Sequence, residues 1–268
     1  MNSRTIQPPG PSRTRARAIA AAGARDLIGD RVYRLGADIL VDENVSWCPP
    51  GIRTTQPVNC YVIKGFGGSV LVDTGVRLHE TEILAQLDAV LEPGERLAVV
   101  LTRTEMECCL NLPAIEARFD VESVWYTGGI TVPRTTAEPR RIMVNPGTSQ
   151  LVEVIDGIKL EFVSPLMRLL PTLWIFDPVS GALLTSDAFT HGSYRRTPDG
   201  LGASDGLCKF RWFSEADTRG IAADVESVVR ERQVTAIGPG YGEPFIGVAQ
   251  CATESAALAA AIREVGVQ

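Results

Sequence analysis

Apolar residues along this chain of 268 residues come in short runs separated by turn residues, and the spacing inside each run predicts an element. Between residues 31 and 75 the runs read as strands: Val32-Tyr33-Arg34-Leu35, Ile39-Leu40-Val41, Asn59-Cys60-Tyr61-Val62-Ile63 and Ser69-Val70-Leu71-Val72. The Pro/Gly loop Cys48-Pro49-Pro50-Gly51 separates the second from the third, and a glycine turn at 65–68 joins the last two as a hairpin. Residues 80–91 place Ile83, Leu84, Leu87, Val90 and Leu91 at helical period, and Pro93-Gly94 stops that helix. A continuous apolar strand at 97–102 and a helix at 112–119 follow.

Strands return at 124–126, 142–144, 150–155 and 159–163. A further hairpin pairs 173–176 with 182–185 across Asp177-Pro178-Val179-Ser180-Gly181, and a Gly-rich loop runs from 190 to 206. Helix 215–230, strand Ala236-Ile237, the turn Gly238-Pro239-Gly240-Tyr241-Gly242 and helix 253–265 complete the chain. A strand meander, then βα units, then the same order again predict two sheets packed together with helices outside. No short-period repeat and no linker interrupts residues 26–268, which are expected to form a single domain.

Composition narrows the partners. With 45% hydrophobic and 22% charged residues the chain is ordinary globular protein. A net charge of −6 and a pI of 5.1 argue against a general nucleic-acid or anionic-membrane surface. No apolar run approaches the roughly 20 residues that cross a bilayer, so a cytoplasmic protein is expected. Cys48, Cys60, Cys108, Cys109, Cys208 and Cys251 form no CxxC pattern and are expected as free thiols in a reducing compartment. Residues 1–25 carry Arg4, Arg13, Arg15, Arg17 and Arg25, the Pro8-Pro9-Gly10-Pro11 stretch and no acid. They are expected as a disordered basic tail leading into a short Ala-rich helix, a transit peptide being the alternative.

Asn59-Cys60-Tyr61-Val62-Ile63 followed by Val70-Leu71-Val72-Asp73-Thr74-Gly75 resembles the opening hairpin of the metallo-β-lactamase superfamily. The strand Val99-Val100-Leu101-Thr102, its loop and the helix at Leu112-Pro113-Ala114-Ile115 resemble the segment carrying that family's His-x-His-x-Asp-His metal motif. The hairpin from Asp177 to Phe189 is similar to the one ending in the metal-bridging aspartate, and residues 238–242 to the turn that brings the last histidine. Glu105 at the second motif position and Ser186-Asp187-Ala188-Phe189 resemble the lactamase-like domain of flavodiiron and oxygen-binding diiron proteins. The resemblance implies an αββα four-layer sandwich, and for flavodiiron-like domains a homodimer. A flavodoxin-like half is not among these residues, so no FMN is expected in this chain.

Hydrolases of the family use two metal ions, held by imidazoles and carboxylates at about 2.0–2.2 Å. Here the motif reads Arg103-Thr104-Glu105-Met106-Glu107-Cys108. Arg103 has no lone pair to give, Glu105 and Glu107 are oxygen ligands, and Cys108 is a soft ligand only as thiolate. Leu169 stands near another expected histidine, Asp187 keeps the bridging carboxylate, and Tyr241 replaces the final histidine. A guanidinium roughly 4 Å from a cation costs about 4 kcal/mol per unit charge at an effective dielectric of 20. Arg103 is therefore expected to turn inward, take the metal's electrostatic place and pair with Glu105 and Asp187, leaving no resident cofactor. A single Fe or Zn ion on Glu105, Glu107, Cys108 and Asp187 is the alternative.

Each of these residues also has a plain structural reading. Cys108-Cys109 are either small buried residues under a helix start or a vicinal redox pair. Glu107 is either a helix-terminus charge or a site carboxylate. His79 reads as a solvated helix-start residue, and His191 as a structural loop histidine or a ligand-pocket residue. Arg195-Arg196 with Lys209-Phe210-Arg211-Trp212 is either a positive rim for an anionic ligand or a solvated loop. Trp47, Tyr194 and Trp212 either line a pocket or pack. Three functions fit: a small-molecule-binding protein or pseudoenzyme using the old cleft, an atypical hydrolase-like or biosynthetic enzyme, and an oxygen- or redox-linked diiron protein with unusual ligands. In the enzyme case Glu105, Glu107 and Asp187 are the acid/base groups, because clustered carboxylates push their pKa values apart.

Overall fold

The computed structural model describes residues 11–42, 48, 50–128, 133–191 and 202–267. Trp47, Tyr194 and Arg195-Arg196 lie outside them. The first sheet runs β1 (Arg25–Ile28), β2 (Val32–Val41), β3 (Thr54–Lys64), β4 (Ser69–Val72), β5 (Leu97–Leu101), β6 (Val121–Tyr126) and β7 (Glu138–Arg141), in that spatial order. It is antiparallel as far as β4 and parallel from β4 to β7. The second sheet contains β8 (Thr148–Ile155), β9 (Ile158–Ser164), β10 (Trp174–Asp177), β11 (Ala182–Ser186), β12 (Ala236–Pro239) and β13 (Phe245–Ile246), ordered β13-β12-β11-β10-β9-β8.

Period-two alternation sorts the strand side chains between layers. Val70 and Val72 of β4 and Ala98 and Val100 of β5 face Leu160, Phe162, Ile175 and Leu184 in a core between the sheets. Their neighbours Leu71, Leu97, Val99 and Leu101 face outward onto Ile83 and Leu87 of α2 (Glu80–Val90), and onto Leu112 and Ile115 of α4 (Leu112–Glu116). On the second sheet, Trp174, Phe176, Leu183 and Ile237 meet α5 (Arg219–Glu231) and α6 (Val248–Val265) through Val225, Val229, Leu258 and Ile262. Helix, sheet, sheet and helix make the expected four layers.

Several expectations shift in detail. The short Ala-rich helix expected before residue 25 is α1 (Arg13–Ala21): it is capped by the Ser12 hydroxyl, Arg15 pairs with Glu92, and Ile19 and Ala24 join the outer core, while residues 1–10 lie outside the described residues. The two expected strands at 32–35 and 39–41 are one strand. Instead of 142–144, the strand after β6 is the polar Glu138–Arg141, which suits a sheet edge. His79 is 4% exposed rather than solvated, because a single 3₁₀ turn tucks it under the start of α2. No helix among the described residues is long and apolar enough to cross a membrane.

Candidate functional site

The carboxyl ends of β4, β5, β11 and β12 come together, the edge where open α/β sheets place their ligands. Asp73 follows β4 with φ +61° and Ser186 ends β11 with φ +54°, left-handed conformations that cost non-glycine residues energy and collect at functional sites. Asp73 accepts hydrogen bonds from the Thr102 amide and hydroxyl, both at 2.8 Å. The Thr102 hydroxyl also lies 2.8 Å from the Ser186 hydroxyl, which accepts from Arg103 Nη1 at 3.0 Å. Since the Thr102 proton is given to Asp73, Ser186 donates to Thr102, and one directional chain runs from Arg103 to Asp73.

The turn after β12 is fixed as tightly. Asn59 Nδ2 donates to the carbonyls of Pro239 at 2.9 Å and Gly242 at 2.8 Å, and the Tyr61 hydroxyl donates to Pro239 at 2.7 Å. A Cβ at position 240 would sit 2.8 Å from the Ser186 carbonyl oxygen, so glycine is required there. This turn sets Tyr241, 4% exposed, beside the cluster.

Arg103, with a side chain 2% exposed, is the centre. Its Nη1 lies 2.8 Å from Asp187 Oδ2, its Nε 2.7 Å from Glu105 Oε2, and its Nη2 against Glu107 Oε1. The Nε and Nη2 contacts are charge contacts without hydrogen-bond alignment. Burial alone would pull the guanidinium's pKa down, but the charges of Asp187 and Glu105 outweigh it and hold it above its ordinary value. Arg103 thus stays charged. Glu105 and Glu107 are positioned by the start of α3 (Met106–Cys109), Asp187 by the end of β11.

Sequence reasoning did not place Lys209 here. It reaches in from a 3₁₀ segment (Asp205–Glu215), with Nζ 3.4 Å from Asp187 Oδ2, 3.9 Å from Glu105 Oε2 and 5.6 Å from the centre of the Tyr241 ring. It serves the carboxylates rather than a rim. Ser186 and Thr102 were also missed as site residues, although Ser186 adjoins the bridging-aspartate position. Cys108 is buried at the base, its sulfur 3.6 Å from the Thr102 hydroxyl. Burial, with Asp73 adding to it, pushes its thiol well above the ordinary value. Burial likewise raises Tyr241. His191 packs its ring 5.0 Å from Phe245 and pairs with Glu254 of α6 at 3.1 Å, and Leu169 is 59% exposed.

The family's metal ions do not fit this arrangement. A divalent ion about 4 Å from the Arg103 guanidinium would meet about 8 kcal/mol of repulsion at an effective dielectric of 20. Cys108 lies at the base of the cluster, its sulfur against the Thr102 hydroxyl, and the carboxylates around Arg103, those of Glu105, Glu107 and Asp187, already face the guanidinium. Among the described residues no three His, Cys, Asp or Glu side chains stand together as a metal-holding group.

No family model and no curated protein sequence matches the chain. Solved structures do. The rubredoxin oxygen:oxidoreductase of Desulfovibrio gigas aligns over 90% of this chain with TM-score 0.61 and 15% identity, the chain spanning 61% of its length. A metallo-β-lactamase from Pontibacter korlensis aligns over 88% of this chain and 98% of its own, with TM-score 0.58 and 13% identity. The flavodiiron protein of Giardia intestinalis aligns over 90% of this chain and 58% of its own, with TM-score 0.57 and 18% identity. Two packed sheets, their helical outer layers and these superpositions agree: this protein has the metallo-β-lactamase fold.

Proposed function

We propose that this protein is a small-molecule-binding pseudoenzyme of the metallo-β-lactamase fold, in which Arg103 supplies the positive charge that metal ions supply elsewhere on this scaffold. One observation carries the reading: a buried guanidinium in ion-pair contact with Glu105, Glu107 and Asp187. Asp187 and Glu107, largely withdrawn from water, need a cation, and this one is covalently part of the chain. The ligand lies at the carboxyl ends of the strands, near Lys209 and Tyr241. The sequence-based expectations go with this reading: a cytoplasmic homodimer with free thiols, without FMN of its own. All six cysteines are free.

Elemental analysis of the full chain purified without chelators tests it. Metal well below one ion per chain is expected. Two retained ions per chain would overturn the reading in favour of a dinuclear protein. One ion, lost in Asp187→Asn, would replace it with the single-metal enzyme.

A further inference from the structure

β7 carries two consecutive arginines, and strand geometry sends them to opposite faces. Arg140 is neutralised: it donates to Glu138 at 2.7 Å, and its guanidinium lies 5.2 Å from the centre of the Trp125 ring. Arg141 instead lines a cleft of about 450 Å³, whose other guanidinium is Arg168. Arg168 is oriented by a neutral group, donating from Nη1 to the Ser164 hydroxyl at 3.0 Å. Among the described residues neither Arg141 nor Arg168 has a carboxylate partner. In a chain of net charge −6 they make a local positive spot.

Gly128 lies against the Arg141 guanidinium, the position a Cβ would take being 3.0 Å from Nη2. The far rim is a Pro146-Gly147 turn with φ +72° at the glycine, closed by Thr148, whose amide and hydroxyl donate to the Asn145 carbonyl at 3.1 and 2.8 Å. Met143, 72% exposed, and Pro171 add apolar wall. The volume is that of small-molecule sites, roughly 300–1,000 Å³. Thr127 directly follows β6 and Arg141 ends β7, so the cleft opens at the same carboxyl edge as the Arg103 cluster. The loop that carries Arg168 and Pro171 is tied to that cluster where the Leu173 amide donates to the Thr102 carbonyl at 2.8 Å.

We infer that this cleft binds an organic anion, its carboxylate or phosphate head clamped between Arg141 and Arg168 and its apolar body against Met143 and Pro171. Guanidinium pairs suit planar, multidentate recognition of such heads. The inference rests on the small-molecule-binding half of the proposed function and not on the role of Arg103, so metal analysis and the following titration fail separately. Isothermal titration of the full chain with phenyl phosphate, benzoate and inorganic phosphate is the test.

One site per chain is expected for phenyl phosphate or benzoate, the tighter of the two identifying the head. Arg141→Gln and Arg168→Gln should each weaken it about tenfold or more, the scale of a charged hydrogen bond. Arg140→Gln should leave it unchanged. Absence of binding by the wild type, or binding unchanged in both Arg141→Gln and Arg168→Gln, would overturn the inference. So would inorganic phosphate binding as tightly as phenyl phosphate, since the apolar wall would then contribute nothing.

Discussion

Removing the charge of Arg103 leaves Glu105, Glu107 and Asp187 facing one another with Lys209 to offset them. Arg103→Gln should therefore lose about 3–5 kcal/mol of stability at pH 7, the scale of breaking a buried ion pair. Urea unfolding at pH 7 reads this loss, and an unchanged midpoint would show that the contacts carry no weight. Asp73 gives a second prediction. Burial pushes it up to about 6, against the hydrogen bonds from Thr102, while in the unfolded chain it titrates near 3.8. Between those values the native state binds more protons, so this contribution is full below pH 3.8 and is lost as pH rises through about 6. The loss amounts to roughly 3 kcal/mol. Relative to wild type, Asp73→Asn should gain about that much unfolding free energy between pH 4 and pH 7, and parallel curves would refute the shift. At this scale the sequence already showed Arg103 without a lone pair beside Glu105 and Asp187, because coordination chemistry is written in residue type. Lys209 was legible only as a rim charge, and its place among the carboxylates was not: it lies beyond a long loop, where no periodicity fixes direction.

Elements were legible wherever alternation or helical period was unbroken. The hairpin through Asn59-Cys60-Tyr61-Val62-Ile63 and Ser69-Val70-Leu71-Val72 is seen in β3 and β4, and residues 80–91 give α2 within one residue. Gly36 misled the reading by splitting β2 into two predicted strands. In the structure the strand passes through it at φ +110°, and a Cβ there would lie 2.0 Å from the Val58 carbonyl oxygen. The glycine thus permits close approach of β3 rather than ending a strand. Gly36→Ala should cost about 2–4 kcal/mol, a backbone effect beyond an ordinary surface change. Thermal unfolding checks this, and a melting point within a degree or so of wild type would contradict it. β7 was missed for the opposite reason: Glu138–Arg141 is polar, and an edge strand owes its pairing to backbone bonds that leave no apolar signature.

Across the whole molecule, the two sheets are joined by a buried pair that neither half announces. Arg31, in the turn between β1 and β2, donates from Nε and Nη2 to Asp177 at the end of β10, both at 3.0 Å, across a sequence separation of 146. In the sequence Asp177 reads only as a turn residue, since nothing local records a partner so distant. Arg31→Met should lose about 3–5 kcal/mol by stranding a buried carboxylate, and the double change Arg31→Met with Asp177→Leu should lose less. Equal losses in the single and double variants would remove the pairing argument. The inward-turned guanidinium of Arg103 has a last consequence for how the carboxylate cluster comes into being. A charge anchored to the backbone never has to be delivered, never exchanges with solvent and holds one oxidation state. The guanidinium's charge is accordingly in place once the chain has folded, and a chelator has no purchase on it.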